Sequence, residues 1–163
     1  MVLNGHHGEP RRLAVNIMAG SKELVALWVT DRVRDMVETP ENTELYEAIG
    51  IVKDGAIIGG VIYQDYRKLK DGTYDISLSV AGEPGWLTPK TLRAIFEYPF
   101  NRLNCSRITT LASKSNRRAR DLNVRVGFRL EGVIKGGGGV GRDSILYGMT
   151  RDECRWIRNR NNG

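Results

Sequence analysis

Cysteine and histidine are scarce in this chain, which holds only Cys105, Cys154, His6 and His7. Two cysteines in 163 residues are too few for a disulfide-framed scaffold, so thiols are expected rather than a bridge. Neither the cysteines nor His6-His7 have further ligands at metal spacing, and no metal site is expected. Also missing is any run near the about 18 apolar residues that cross a bilayer as a helix. The start, MVLNGHHGEPRR, lacks the apolar stretch of a secretory signal. The expectation is a protein of the cytoplasm with no membrane partner.

What is present fits a globular domain. Hydrophobic residues make up 40% and charged residues 27%, which excludes collagen-like and disordered classes. The length suits one core, so residues 1–163 are expected to form a single domain. A net charge of +6 favours anionic partners: nucleic acid, an acidic protein face or a phosphate-bearing cofactor.

Val25, Trp28, Val29, Val33 and Met36 lie on one stripe of a helix expected from Ser21 to Glu38, with Ser21 as N-cap and Thr39-Pro40 as stop. From Tyr46 onward three strands are separated by Asp54-Gly55 and Asp71-Gly72, the dipeptide of tight hairpins. The middle strand, Ile57 to Tyr63, is apolar enough to be buried on both faces. The third alternates, with Asp75, Ser77 and Ser79 opposite Ile76, Leu78 and Val80.

Thr88 followed by Pro89 reads as the cap and first residue of a second helix, and Pro99 as a kink in it or the end of its regular part. A strand over Arg107 to Ala112 follows, then a short helix opened by Ser115-Asn116 and closed by Gly127. Strands at about Arg129 to Lys135 and Ser144 to Thr150 flank the Gly136 to Gly141 run. Hairpins first, then strands alternating with helices, predict an α/β fold: a central, mostly antiparallel mixed sheet with helices on both faces.

The stretch SNRRARDLNVRVGFRLEG, Ser115 to Gly132, resembles the N-x-x-A/S … GF-x-x-EG signature of the GNAT superfamily of N-acetyltransferases. Within it the likeness is to the branch that acetylates protein N-termini and ribosomal proteins. EYPFNRLNCSRIT resembles the family's third helix and fifth strand, and DSILYGMTRDECRW its last strand and tail. YPF, LEG and ECRW resemble phage-encoded members in particular, which would act in a host cytoplasm.

The resemblance implies transfer of acetyl from acetyl-CoA directly to a protein amine, an N-terminus or a lysine, with no covalent intermediate. In such a fold the pantetheine arm enters a wedge between two splayed strands. It implies that the backbone of Leu78, Val80 and Gly82 lines the arm, and that an N–H near Ser79 or Val80 polarises the thioester oxygen. Asp75 is then the candidate base, with Ser77 and Ser79 ordering water; the plain alternative for Asp75 is a solvent-facing strand edge.

Asn116 matches the family asparagine on the arm, and reads equally as a helix cap. Arg118, with Arg117 and Arg120, is placed to meet phosphates or to form a solvated helix face. Asn123, seven residues beyond Asn116, stands where many members carry a tyrosine acid.

The family's phosphate loop, R/Q-x-x-G-x-G/A, is altered here. In GEPGWLTPKTL, Glu83 takes the basic position and Trp86 a glycine position, and both oppose a diphosphate. Gly85, Thr88, Lys90 and the N–H groups of Lys90 and Thr91 at the helix start remain for an anion. The Gly136 to Gly141 run precedes no helix and reads as a mobile hairpin tip. Arg155, Trp156, Arg158 and Arg160 read as a frayed basic tail rather than a nucleic-acid surface, so nucleic acid is not the expected partner.

The expected partner is a protein with a free amine, a host protein included, and a homodimer is left open. The alternative is a decayed module of the same fold that engages a host or virion protein without transfer, a reading motivated by Glu83, Trp86 and Asn123.

Overall fold

The computed structural model describes residues 15–18, 20–33 and 46–157. Along the chain lie β1 (Asn16–Met18), α1 (Lys22–Arg32), β2 (Glu47–Lys53), β3 (Ala56–Lys68), β4 (Tyr74–Gly82), α2 (Pro89–Glu97), β5 (Cys105–Ser113), α3 (Arg117–Val126), β6 (Arg129–Ile134) and β7 (Ser144–Thr150). The strands form one seven-stranded sheet in the order β1-β2-β3-β4-β5-β7-β6. Only β4 and β5 run parallel, because α2 intervenes as a crossover; all other neighbours are antiparallel.

Local chemistry explains most of these boundaries. The β2–β3 hairpin turns at Asp54 and Gly55, both at positive φ as the dipeptide demands. The β3–β4 loop differs: only Gly72 is left-handed, and Asp71 instead accepts hydrogen bonds from the N–H and hydroxyl of Thr73. Helix α2 starts with a full capping box between Thr88 and Thr91, with Pro89 in its first turn. Pro99 ends the regular helix at Glu97, and a π-helical turn follows over Tyr98–Arg102. The Ile95 carbonyl, to which Pro99 has no N–H to offer, accepts the buried Tyr63 hydroxyl at 2.8 Å.

Helices cover both faces of the sheet, as expected. Strand alternation sends Val61 and Tyr63 of β3 into the larger core beneath α2, while Ile62 between them meets Val25 and Val29 of α1. Residues Gly59 to Tyr63 are therefore buried on both faces, whereas Ile57 and Ile58, at the start of the expected buried run, are half-buried.

Some expectations need correction. α1 stops at Arg32, where Val33 turns extended, and Ser21 occupies the cap position at positive φ without a side-chain bond. Met36, Glu38 and Thr39-Pro40 lie outside the described residues, as do His6, His7, Arg158 and Arg160. β1, a three-residue edge strand, was not anticipated. Cys105 and Cys154 are buried and not bridged to each other. No described helix is long and apolar enough to cross a membrane, and the described residues contain no cluster that would hold a metal.

Candidate functional site

The sheet is forked. β4 and β5 pair from Tyr74↔Cys105 up to Leu78↔Thr110 and then part. Above that point β4 is bonded only to β3, through Gly59↔Gly82, and β5 only to β7, through Ser113↔Ser144. The Thr110 hydroxyl donates to the Leu78 carbonyl at 2.9 Å and closes the crotch. Since that carbonyl faces β5, alternation turns the N–H and C=O of Val80 and Gly82 toward the gap as well. The Glu83 N–H, bonded to the Ile58 carbonyl of β3, fixes the opposite parity, so Ser79 and Ala81 face β3. Of the two expected amides, Val80 rather than Ser79 presents its N–H to the fork. An unpaired strand edge of this kind accepts an amide-bearing arm as it would another strand.

Beside the fork lies a narrow apolar cavity of about 30 Å³, room for a single water. Leu78 and Val80 form one wall, Leu92 and Phe96 of α2 another, and Leu122 and Asn123 of α3 a third. Asn123 is 7% exposed, and its side-chain amide has no hydrogen-bond partner among the described residues. Trp86 also lines this cavity. It is 6% exposed and lies across the Gly59–Gly82 pair so closely that a Cβ on either glycine would fall inside the indole. Burying that ring contributes roughly 4–6 kcal/mol of transfer free energy, enough to hold it there against an exposed alternative.

The loop that carries Trp86 is a tight turn, not an open nest. Trp86 N–H donates to the Glu83 carbonyl at 3.2 Å around Pro84 and Gly85, the latter at φ 90°, as a type II turn requires. Thr88 N–H goes to Thr91 Oγ1, and Thr91 N–H returns to Thr88 Oγ1. The Thr91 N–H expected to await an anion is thus taken, and so is the Thr88 side chain. Pro84 and Pro89 have no N–H. Only Gly85, Leu87 and Lys90 keep theirs, and Lys90 is exposed beside them. Glu83 is exposed and makes no ion pair among the described residues.

On the far side of the fork, Asn116 caps α3 by accepting from Ala119 N–H at 3.1 Å, which is the plain member of its two readings. Arg117 sits 3.8 Å from Asp121, and Arg120 donates to the Lys114 carbonyl while its buried Nε has no partner. Arg118 is exposed. The cofactor half that resembles a strand therefore fits this site, whereas the diphosphate half meets an acid, an indole and amides already in use.

Asp75 is not on a solvent-facing edge, which corrects that reading of it. It is 8% exposed. Arg67 Nη2 donates to one carboxylate oxygen at 3.0 Å, while Thr109 Oγ1 at 3.1 Å and Arg107 Nε at 3.5 Å hold the other. Arg107 in turn reaches Glu131 of β6 at 2.6 Å, passing over β7 where Gly148 has no side chain to block it. A carboxylate so surrounded is held as an ion-pair acceptor by three neighbouring side chains. It also belongs to the paired part of β4, several residues below the fork. Arg67, Arg107 and Glu131 were not singled out from the sequence, since only sheet order brings them together.

Other signals resolve similarly. The Gly136 to Gly141 loop bonds its own amides, including Gly138 N–H to the Arg142 carbonyl and Gly139 N–H to that of Gly136, so it is a hydrogen-bonded hairpin tip. Trp156 is not a frayed stacking ring: its Nε1 donates to the Val126 carbonyl at 2.9 Å, and Arg155 lies over it. A roomier polar cleft of about 360 Å³ lies at the opposite end of β5, walled by Thr73, Ser106, Thr150 and Arg151. The Arg151 guanidinium is already bonded to the Phe100 carbonyl and Asn101, and the cleft shares no lining residue with the cavity beside the fork.

No protein-family model matches the chain, and no curated protein matches its sequence. Solved structures do match. Mycobacterium smegmatis RimJ in complex with CoA-disulfide superposes with a TM-score of 0.63 at 16% identity, over 86% of this chain and 84% of that one. The fold is the GNAT fold. SpeG, a spermidine N-acetyltransferase of Vibrio cholerae, gives 0.65 at 14% identity over 91% and 98%. The ribosomal-protein-S5-alanine acetyltransferase of Vibrio fischeri gives 0.56 at 17% over 82% and 71%. For one further acetyltransferase structure the chain spans 64% of the neighbour's length.

Proposed function

We propose that this protein is an N-acetyltransferase that moves an acetyl group from the thioester of a CoA-type donor directly to an amine on a protein. The observation that carries the proposal is the unpaired Val80 edge above the Leu78–Thr110 closure. A donor arm lying there puts its thioester oxygen within reach of the Val80 N–H, a fixed dipole that stabilises the oxyanion as the amine nitrogen adds to the carbonyl carbon. The C–N bond forms, the C–S bond breaks, and the thiol leaves with the proton that the amine gives up. Asp75 takes no part in that transfer; Ser79 is proposed to order the water that relays the proton.

A protein amine is favoured over a polycation by charge. Asp75 and Glu131 are both paired with arginines, and against the exposed carboxylate of Glu83 at the end of the fork the chain carries +6 overall. The finer attribution, to the phage-encoded N-terminal branch acting in a host cytoplasm, rests on the YPF, LEG and ECRW stretches alone. The test is thiol release from acetyl-CoA with a peptide bearing a free N-terminus and with spermidine, alongside the melting temperature with acetyl-CoA. Release with the peptide and a raised melting temperature are expected; neither at millimolar donor refutes the proposal.

A second reading, a binding module of this fold without transfer, is favoured by the indole seated on Gly59 and Gly82 beside a cavity of water size. It predicts stable capture of a partner protein whose amines remain unmodified by mass spectrometry.

A further inference from the structure

The two ends of the donor site do not match. Along the fork, Val80 and Gly82 offer N–H and C=O groups that no neighbouring strand takes, and the Asn123 side chain, without a hydrogen-bond partner among the described residues, lines the adjoining cavity. An arm lying along that edge leaves it at Gly82 and runs straight onto the Glu83–Thr88 loop and the start of α2. There the supply of donors ends abruptly. Trp86, Thr88 and Thr91 N–H groups are engaged within the loop, and the prolines have none. What remains is the Gly85, Leu87 and Lys90 N–H groups and the Lys90 ammonium, set against the exposed Glu83 carboxylate. That is enough for one phosphate and not for a diphosphate with a further charged group beyond it.

We infer that the site recognises its acyl donor only as far as the first phosphate: its ligand is a thioester on a 4′-phosphopantetheine arm, and the nucleotide half of CoA contributes no binding. The inference rests on the transferase reading above. Two sources supply such an arm, a nucleotide, as in acetyl-CoA, or a carrier protein that bears the arm on a single phosphodiester. Exposed Lys90 and Arg118 and the charge of +6 suit an acidic carrier.

Calorimetry on the full chain with CoA, 4′-phosphopantetheine and pantetheine decides the matter. Dissociation constants for CoA and 4′-phosphopantetheine that differ by less than about tenfold, with pantetheine weaker than both, are expected; CoA tighter by about tenfold or more overturns the inference. Absence of binding by all three at millimolar concentration is a different result, and it removes the transferase reading itself. Glu83→Arg, an exposed change that leaves the core intact, serves as the second measurement. It should raise affinity for CoA more than for 4′-phosphopantetheine, and an unchanged ratio counts against the inference. A carrier-borne arm that binds more tightly than the free one, with the advantage lost at high salt, names a carrier as the source; equal binding names the free thioester.

Discussion

The two halves of β4 have opposite fates. From Tyr74 to Leu78 the strand is bonded on both edges, and its one acid is enclosed by Arg67, Arg107 and Thr109. From Ser79 to Gly82 it is bonded on one edge only, and the glycine at its end exists to seat an indole. The lower half pairs its backbone on both edges and its acid with three side chains, whereas the upper half leaves backbone donors unanswered. Buried polar groups are normally satisfied, so the unsatisfied edge marks the part of the strand built to meet something else. Chemistry is accordingly sought at Val80 and not at Asp75, although the sequence makes Asp75 the more conspicuous residue.

The largest expected effect comes from emptying the seat in the upper half. Trp86→Ala removes a buried indole and should lower unfolding stability by about 3–5 kcal/mol in urea denaturation. If Trp86 also restricts the fork, the same variant binds 4′-phosphopantetheine more tightly despite being less stable. Loss of stability with no change in binding would make the indole purely a packing residue.

Next in size is Val80→Pro. The Val80 N–H makes no ladder bond to β3, so its removal should leave the sheet paired, as proline is tolerated where the N–H faces away from a partner. Thiol release with a peptide acceptor should fall by about 10²–10³-fold, the loss typical for one oxyanion donor. A turnover unchanged in a well-folded variant would move the oxyanion site away from β4.

Much of this contrast was legible before the structure, and part of it was not. Asp54-Gly55, Thr88-Pro89 and the Gly127 cap, which sits at φ 117°, each state their own geometry within a few residues, so element order could be read directly. The altered loop was visible too, since an acid and an indole stand where a base and a bare backbone were expected. The burial of Asp75 was not. Alternation with Ser77 and Ser79 suggests a wet face, and only the sheet order brings Arg67 from β3 and Arg107 from β5 to cover it. Glu131 joins that ladder because Gly148, on the strand between, has no side chain. The Trp86 seat is hidden for the same reason, as Gly59 lies 27 positions before the indole and meets it only through the β3–β4 register.

Asp75→Asn tests the lower half with a smaller change. It keeps the shape but removes the charge that two guanidinium groups and a hydroxyl address, and should cost about 1.5–3 kcal/mol of stability. Transfer by the folded fraction should persist. A hundredfold fall in turnover without a matching loss of stability would restore Asp75 as the base and erase the distinction between the halves.

The smallest effect is a pH dependence confined to the lower half. Burial, and then the negative charge of Asp75, pushes the Cys105 thiol up to about 11 from an ordinary value of 9.0. Its folded pKa therefore exceeds its unfolded one, and the folded chain holds a proton that the unfolded chain has released between those values. Stability from this group is complete below about pH 9 and declines as pH rises toward 11. Tyr63, Tyr66 and Tyr98 are raised too and act in the same direction at higher pH, from their ordinary value of 10.0 upward. Urea midpoints of the wild type and Cys105→Ala, compared between pH 9 and pH 10, isolate the thiol. The wild type should lose stability over that interval faster than the variant does. Parallel slopes would mean that the paired half of β4 opens to solvent at Cys105 more readily than its hydrogen bonds imply.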